Sequence, residues 1–359
     1  MEENTVNTAN KIKVLICDDS ATFRKILTME LSRDENIEII GAVTDPYMAR
    51  DKIIENKPDV LLLDIEMPRM DGVTFLGKLM KSYPIRVIVV SSFAESGSSI
   101  ATKAIEYGAL EVLYKPDSMY SAGDMFEQLI EKIKTVMEVS EDSLQALSER
   151  VASIQKKPLF TSVTQTANKV IAIGASTGGT EALRQVLERM PVNTPPIVIV
   201  QHMPQYFTKI FAEHLDSVCQ IKVKEADDME ILSHGKALIA PGDRHMEVVR
   251  SGSVYHAKVF DDPPVFHQRP SVEKLFLSVA KYVGRNAVGV ILTGMGKDGA
   301  SAMVEMKKEG AYTIAQDEKS SVVFGMPREA IELGGVIKIV PLSQMSETII
   351  EATESSLNE

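Results

Sequence analysis

Short apolar runs alternate with segments of helix-forming composition along most of this chain. The clearest run is Val60–Leu63 (VLLL), apolar without alternation, as expected of a strand covered on both faces in the middle of a parallel sheet. Around it, Lys13–Cys17, Ile37–Val43, Val87–Val90 and Val112–Tyr114 read as strands. Ala21–Leu31, Tyr47–Glu55, Val73–Ser82, Ser99–Tyr107 and Met125–Met137 read as helices between and after them. This rhythm predicts one doubly wound domain over residues 11–137, behind a tail at residues 1–10. The rhythm breaks at residue 138. Residues 138–168 are polar and rich in Ser, Thr and Gln, with Leu144, Leu147, Val151 and Ile154 on one face if the first half is helical. Pro158 and the Ser/Thr run behind it read as a solvated linker. A second α/β domain is predicted over residues 169–353. Its strands are Val170–Ile173, Ile197–Val200, Lys236–Ala240 and Ala287–Leu292, its helices include Glu181–Met190 and Val272–Tyr282, and hairpin-like segments flank Ser251-Gly252. The fold class is α/β: two doubly wound, mainly parallel-sheet domains joined by a linker.

Chemistry-bearing residues cluster at the carboxyl ends of those strands, where α/β proteins place their sites. In the first domain Asp18 and Asp19 follow the first strand, Asp64 the third, Ser91 the fourth and Lys115 the fifth. Three converging carboxylates repel one another unless a hard cation lies among them, and oxygen ligands of this kind suit Mg²⁺. Taken singly, Asp18 reads equally well as a helix cap and Lys115 as a surface cation.

In the second domain Gly174-Ala175-Ser176-Thr177-Gly178-Gly179 joins a strand to a helix and places Ser176 at the apex of a tight turn. The G-x-S-x-G spacing is that of a nucleophile elbow. A phosphate-binding loop and a purely structural turn are the competing readings of this stretch. The dinucleotide pattern G-x-G-x-x-G fails at its middle glycine, which is Ser176. His202 and Asp298 also sit in turns just after apolar strands, so the three side chains converge if their strands are sheet neighbours. A serine needs a base to take its proton, and the imidazole needs a partner to fix its tautomer. The glycine turns at Gly178-Gly179 and Gly294–Gly296 would offer backbone N–H groups to an oxyanion. The bland alternatives are a structural histidine at 202, one of six in the chain, and a helix cap at Asp298.

Composition narrows the classes. A net charge of −11 argues against nonspecific nucleic-acid binding, and no helix-turn-helix array with a basic recognition helix is visible. Cys17 and Cys219 lie far apart without metal-ligand spacing and read as reduced thiols. The polar amino terminus and the lack of any apolar run near membrane-spanning length predict a soluble, cytoplasmic protein with no membrane insertion.

The motifs CDDS, DIEMPRMDG, VVSS and YKP, in this order, resemble the receiver domain of two-component response regulators. The resemblance implies that Asp64 accepts a phosphoryl group from a histidine kinase, that Asp18, Asp19 and Asp64 hold Mg²⁺, and that Ser91 and Lys115 contact the phosphoryl group. IGASTGG, QHMP, IAPGDRHM, RPSVEKLF, TGMGKDG and QDEKSSVVFGMPREA are similar to the catalytic domain of CheB-type protein-glutamate methylesterases. That resemblance implies a receiver-like domain followed by a Rossmann-like methylesterase. The implied activity is hydrolysis of glutamate methyl esters, and deamidation of glutamines, on methyl-accepting chemotaxis receptors. Ser176 matches the nucleophile, His202 the base and Asp298 the acid, while Thr177 and Met295 match neighbours lining the site. No metal is expected at the esterase site. A receiver with a catalytically silent adaptor is the alternative, and intact triad residues argue against it. The receiver is expected to obstruct the Ser176 site until it is phosphorylated. Gly325–Pro327 reads as a structural turn near the site. Two residues depart from the family pattern: Glu273 stands where aspartate is expected, and Asp228 where glycine is expected, neither of them at the triad.

Overall fold

A computed structural model of the chain describes residues 11–67, 71–91, 103–115, 122–152, 169–205 and 207–354. It divides into two units, Met1–Ser153 and Ile154–Glu359. Among the described residues no helix is long and apolar enough to cross a membrane.

The first unit is a five-stranded parallel sheet of β1 (Ile12–Cys17), β2 (Ile37–Val43), β3 (Val60–Leu63), β4 (Arg86–Ser91) and β5 (Glu111–Tyr114), in the order β2-β1-β3-β4-β5. All four residues of β3 are buried, which is why that strand carries no polar alternation. The helices are α1 (Ala21–Leu31), α2 (Pro46–Glu55), α3 (Gly72–Ser82), α4 (Ala122–Val136) and α5 (Glu141–Ala152). Ser20, Asp45 and Asp71 cap the first three by accepting backbone N–H groups of the opening turn. Of the helix expected over Ser99–Tyr107, the structure describes a helical turn at residues 103–106, and residues 99–102 lie outside the described residues.

The stretch read as a solvated linker differs in its first half. Residues 139–152 pack onto the first unit: Arg86 Nη2 donates to Val139 O (2.5 Å), and Ser148 Oγ in α5 donates to Met80 O (2.7 Å) at the end of α3. Leu144 is buried and Leu147 half-buried, and α5 packs on α3, so the described part of the apolar stripe is covered by the first unit. Ile154 and Pro158 lie outside the described residues.

The second unit holds β6 (Val170–Ala175), β7 (Ile197–Gln201), β8 (Lys222–Glu225), β10 (Lys236–Ile239), β13 (Ala287–Ile291), β14 (Tyr312–Gln316) and β15 (Lys338–Val340) in one parallel sheet, ordered β15-β14-β13-β6-β7-β10-β8. A small antiparallel sheet joins β9 (Glu230–Ile231), β11 (His245–Ser251) and β12 (Val254–Phe260). The helices are α6 (Gly179–Leu187), α7 (Phe207–Val218), α8 (Val272–Tyr282), α9 (Ala300–Lys308), α10 (Met326–Glu332) and α11 (Leu342–Glu354). Successive residues of the central strands serve two cores. Ile171 and Ile173 of β6 with Ile197 and Ile199 of β7 face one, and Val170, Ala172, Val198 and Val200 face the other.

Strand order decides where chemistry can sit. In the first sheet the order in which successive strands are added reverses between β1 and β3, and in the second between β6 and β13. At such a point the loops leaving neighbouring strands diverge and open a crevice at their carboxyl ends. Asp18 follows β1 and Asp64 follows β3. Ser176 follows β6, between the loops after β7 and β13.

Candidate active site

At the first crevice Asp18 and Asp64 are buried and Asp19 is exposed, and one carboxylate oxygen of each lies within 4.8 Å of the others. Lys115 Nζ lies between two of them, 2.5 Å from Asp18 Oδ2 and 2.6 Å from Asp64 Oδ2, and 4.9 Å from the centre of the Phe23 ring. Asp18 is also fixed by its neighbours: Oδ1 accepts Ser20 N–H (2.8 Å) and its carbonyl accepts Arg24 Nη1 (2.6 Å). Ser91 ends β4 beside Tyr114, and its carbonyl accepts Lys115 N–H (2.9 Å). Ser92 lies outside the described residues.

Burial pushes the Asp64 carboxyl up to about 6. Lys115 pulls it down, Asp18 adds to the rise, and the backbone N–H of Glu66 offsets a little. A cluster of hard oxygen donors holding more negative charge than its lysine offsets fits a divalent cation of the Mg²⁺ type. The raised value also has a stability consequence. A carboxyl raised on folding contributes stability that is complete below the ordinary carboxylate range and lost as pH rises through about 6. Without metal, Asp64→Asn is therefore expected to raise the unfolding free energy of the first unit at pH 7.5 by on the order of 3 kcal/mol. At about pH 4.5 that gain shrinks to a minor part. Denaturant melts at the two pH values check this, and an equal gain at both would contradict it.

Burial pushes the Cys17 thiol up to about 12, with its Sγ packed 3.6 Å from Met67 Sδ, so it is not a nucleophile at neutral pH. Both cysteines are free thiols.

At the second crevice the three strands that carry Ser176, His202 and Asp298 are adjacent, with β6 between β7 and β13. His202 Nε2 lies 2.8 Å from Asp298 Oδ2, both side chains buried. Asp298 Oδ2 also accepts Val272 N–H (2.7 Å), and Oδ1 accepts Ser271 Oγ–H (2.8 Å) and Glu273 N–H (2.9 Å). The carboxylate thus sits on the amino end of α8, where free N–H groups and the helix dipole favour an anion. Asp298 caps a helix that precedes it in the chain and orients the imidazole as well. Burial alone would push Asp298 up. Hydrogen bonding and the charge of His202, with the donors from Glu273 and Ser271, outweigh burial and hold the carboxyl below its ordinary range. Its ionised form therefore stabilises the fold above the ordinary carboxylate range, and that stability is lost only as pH falls through the lowered value.

Ser176 has its backbone pinned on three sides. Its N–H donates to Thr293 O (3.0 Å), and its carbonyl accepts Gly179 N–H (2.7 Å) and Gln201 Nε2–H (2.9 Å). Gln201 Nε2 also donates to His202 O (3.1 Å), so one buried amide ties the serine turn to the histidine turn. Thr293 Oγ1 donates to Thr177 O (2.9 Å), bracing the turn that holds Thr177. Among the described residues the Ser176 hydroxyl has no hydrogen-bond partner, and His202 Nδ1 is the ring nitrogen not engaged by Asp298.

The turn carrying Met295 is braced from behind. Gly294 O accepts Gly325 N–H (3.0 Å) and Met326 N–H (2.8 Å), and Gly294 N–H donates to Val323 O (3.0 Å). Gly325–Pro327, read from the sequence as a turn, is instead the cap and opening turn of α10, because Pro327 suits the first turn of a helix, and it walls the site turn. Two of the glycine amides expected to face an oxyanion are consequently committed elsewhere, Gly179 to Ser176 O and Gly294 to Val323 O. Among the described residues the amides of Gly178 and Gly296 carry no such bond.

Glycine is required at 294 by close approach: a Cβ there would lie 2.4 Å from Met326 Sδ and 2.7 Å from Ser176 Cβ. Gly294→Ala is expected to displace Ser176, costing about 2 kcal/mol of stability and at least about a hundredfold in the kcat of any reaction in which Ser176 takes part. Paired melting and rate measurements check this, and an alanine variant of full activity would contradict it.

Glu273 is not a remote departure. Its N–H holds Asp298, while its carboxylate accepts Ser301 Oγ–H and Ala302 N–H (3.2 Å) in the first turn of α9. Asp228 accepts Val259 N–H (2.9 Å) and ties a loop to β12. Ser271, Val272, Gln201 and Thr293 were not singled out from the sequence. For Gln201, an amide directly after the apolar run Ile197–Val200 was the available signal.

Residues 171–349 match the family model for the CheB methylesterase, and residues 14–122 that for the response regulator receiver domain. A protein-glutamate methylesterase/protein-glutamine glutaminase 2 of Syntrophus aciditrophicus is 53% identical over 343 residues, covering 95% of this chain and 99% of that protein. The protein-glutamate methylesterase/protein-glutamine glutaminase of Salmonella typhi is 49% identical over 349 residues, covering 95% and 97%. Among solved structures, the CheB methylesterase catalytic domain of Thermotoga maritima superposes with a TM-score of 0.51 at 38% identity, covering 52% of this chain and 99% of that one.

Proposed function

The chain belongs to the CheB methylesterase family and carries a response regulator receiver domain ahead of the catalytic domain, and from that premise we propose that it is a phosphorylation-activated serine esterase acting on chemotaxis receptors. Its substrates are receptor glutamyl methyl esters, hydrolysed to glutamate and methanol, and receptor glutamines, hydrolysed to glutamate and ammonia. The observation that carries this reading is the bond of 2.8 Å between His202 and a buried Asp298, one strand away from the Ser176 turn.

Ser176 Oγ attacks the ester carbonyl carbon while His202 takes its proton, through Nδ1 because Nε2 faces Asp298. Asp298, held ionised by its four donors, stabilises the imidazolium that forms. The tetrahedral intermediate collapses with cleavage of the carbon–oxygen bond to the methoxy group, which leaves as methanol with the proton from His202. Water, deprotonated by His202, then attacks the acyl-serine and releases the glutamate carboxylate and the free serine. A glutamine follows the same course with ammonia as the leaving group.

In the receiver, Asp64 is the phosphoryl acceptor, with a histidine kinase as the physiological donor. A divalent cation of the Mg²⁺ type, held by Asp18, Asp19 and Asp64, would supply positive charge against the incoming phosphoryl oxygens. Lys115, already against Asp64, and Ser91 then contact the transferred group. Methanol release from methylated receptor membranes, with and without a small-molecule phosphodonor, tests the reading. Release that rises with the donor is expected, and no release in either case would defeat it.

A further inference from the structure

A serine, a histidine and an aspartate do not distinguish a glutamyl ester in a polypeptide from any other ester. Recognition has to come from side chains beside them. The loop that leads into Ser271–Glu273, the segment cradling Asp298, has an exposed tip that the reaction leaves unused. Its sequence over residues 261–270 is DDPPVFHQRP. Val265 and Gln268 exchange backbone bonds of 3.0 and 2.9 Å around a two-residue turn. Both central residues, Phe266 and His267, have positive φ, 50° and 61°.

Turns of this hand are ordinarily built from Asn-Gly, because the left-handed region is costly for a bulky side chain. Such residues persist where their surroundings over-determine them, and they gather at functional positions. Here the stem is held firmly. Arg269 donates twice to Asp243 Oδ1 (2.9 and 2.5 Å), Asp243 N–H donates to Arg269 O (3.1 Å), Lys274 Nζ donates to Asp262 Oδ2 (2.8 Å) and His245 Nε2 donates to Pro263 O (3.0 Å). The tip is left open, with 41% of Phe266 exposed. Lys297, the residue before Asp298, places its ammonium 5.4 Å from the centre of the Phe266 ring. An exposed aromatic ring and an exposed ammonium therefore stand together beside the acid of the site.

We propose that Phe266, with His267 and Lys297 beside it, is the lip that grips the polypeptide flanking the reacting glutamyl group. The proposal rests on the esterase reading above. Hydrolysis turns glutamyl esters of the segment into glutamates, whose carboxylates suit the Lys297 ammonium, and the His267 imidazole offers a hydrogen bond beside it. The segment also offers aliphatic side-chain stems to the Phe266 ring. The strained turn holds the Phe266 ring in a fixed position, so binding loses little entropy in ordering it.

The test measures binding by fluorescence anisotropy, with a methyl-esterified receptor cytoplasmic fragment as the probe and the full chain carrying Ser176→Ala so that nothing is consumed. Phe266→Asn keeps a residue that accepts positive φ and removes the ring. It is expected to raise Kd at least about tenfold without lowering Tm. Lys297→Gln is expected to raise Kd severalfold and to flatten its salt dependence. With Ser176 present, Phe266→Asn is expected to raise KM by the same factor while kcat stays within about threefold. An unchanged Kd overturns the lip, as does a loss that appears in kcat and Tm instead of KM. Methanol release by the unaltered chain reports separately on the esterase reading, and the anisotropy decides the lip whichever way that result falls.

Discussion

Replacing Ser176 with alanine is expected to lower kcat for methyl-ester hydrolysis by at least about 10³-fold while leaving the melting temperature unchanged. The separation of the two effects follows from the geometry. The Ser176 backbone is pinned through Thr293, Gly179 and Gln201, whereas its hydroxyl serves no structural bond among the described residues. His202→Ala and Asp298→Ala are expected to lower kcat comparably. Pairwise combinations should cost little more than the worst single change, because the three side chains act as a unit. Asp298→Ala differs in one respect. It strands the hydroxyl of Ser271 and the amides of Val272 and Glu273 at the amino end of α8, so it is also expected to cost on the order of 3 kcal/mol of stability. Equal losses of stability in the Ser176 and Asp298 variants would contradict this division of labour.

The second large effect is at Asp64. With a small-molecule phosphodonor and Mg²⁺, full-length esterase activity is expected to rise by about tenfold or more, and Asp64→Asn is expected to abolish the rise. On the proposed reading Asp64 accepts the phosphoryl group; it is buried, fixed by Glu66 N–H (3.1 Å) and already faces Lys115. Phosphorylation adds charge and acceptor oxygens there, and the Lys115 and Ser91 side chains have to rearrange around them. A phosphodonor-dependent rise that survives in Asp64→Asn would place the acceptor elsewhere.

Much of the architecture was legible from periodicity, and the reasons are specific. Fully apolar Val60–Leu63 and alternating Ile171–Ile173 reflect strands with both faces covered, and Ala21–Leu31 and Val272–Tyr282 carry helical spacing with a serine cap in front. Strands β8, β9, β14 and β15 were not marked in this way. Strands β8, β9 and β15 are short, lie at sheet edges and carry mixed residues such as KVKE, whereas β14 (YTIAQ) lies inside the sheet but sets its aliphatic residues between polar ones. The helix over Glu141–Ala152 was legible as amphipathic, but its partner was not, since sequence spacing does not say which surface will cover a stripe.

At the site, the residues carrying reactive side chains were visible because each stands just past an apolar strand. Their convergence was not visible, because it depends on β6 lying between β7 and β13, and that order is set by chain crossovers. Residues that hold others were hidden for a related reason. Ser271 and Glu273 reach Asp298 across 27 and 25 positions of sequence, and Gln201 acts through two backbone carbonyls. The oxyanion expectation fails at two of its amides for the same reason, since those of Gly179 and Gly294 are spent on carbonyls that local sequence does not identify.

The central claim is covalent catalysis at Ser176, and the most direct measurement is acid quench of the full chain during turnover on a methyl-esterified receptor fragment, followed by peptide mapping. A glutamyl ester on the peptide that contains Ser176, formed as methanol appears and lost as glutamate is released, is the result the account predicts. Methanol release at full rate with no adduct at Ser176, or with the adduct on another residue, would contradict it.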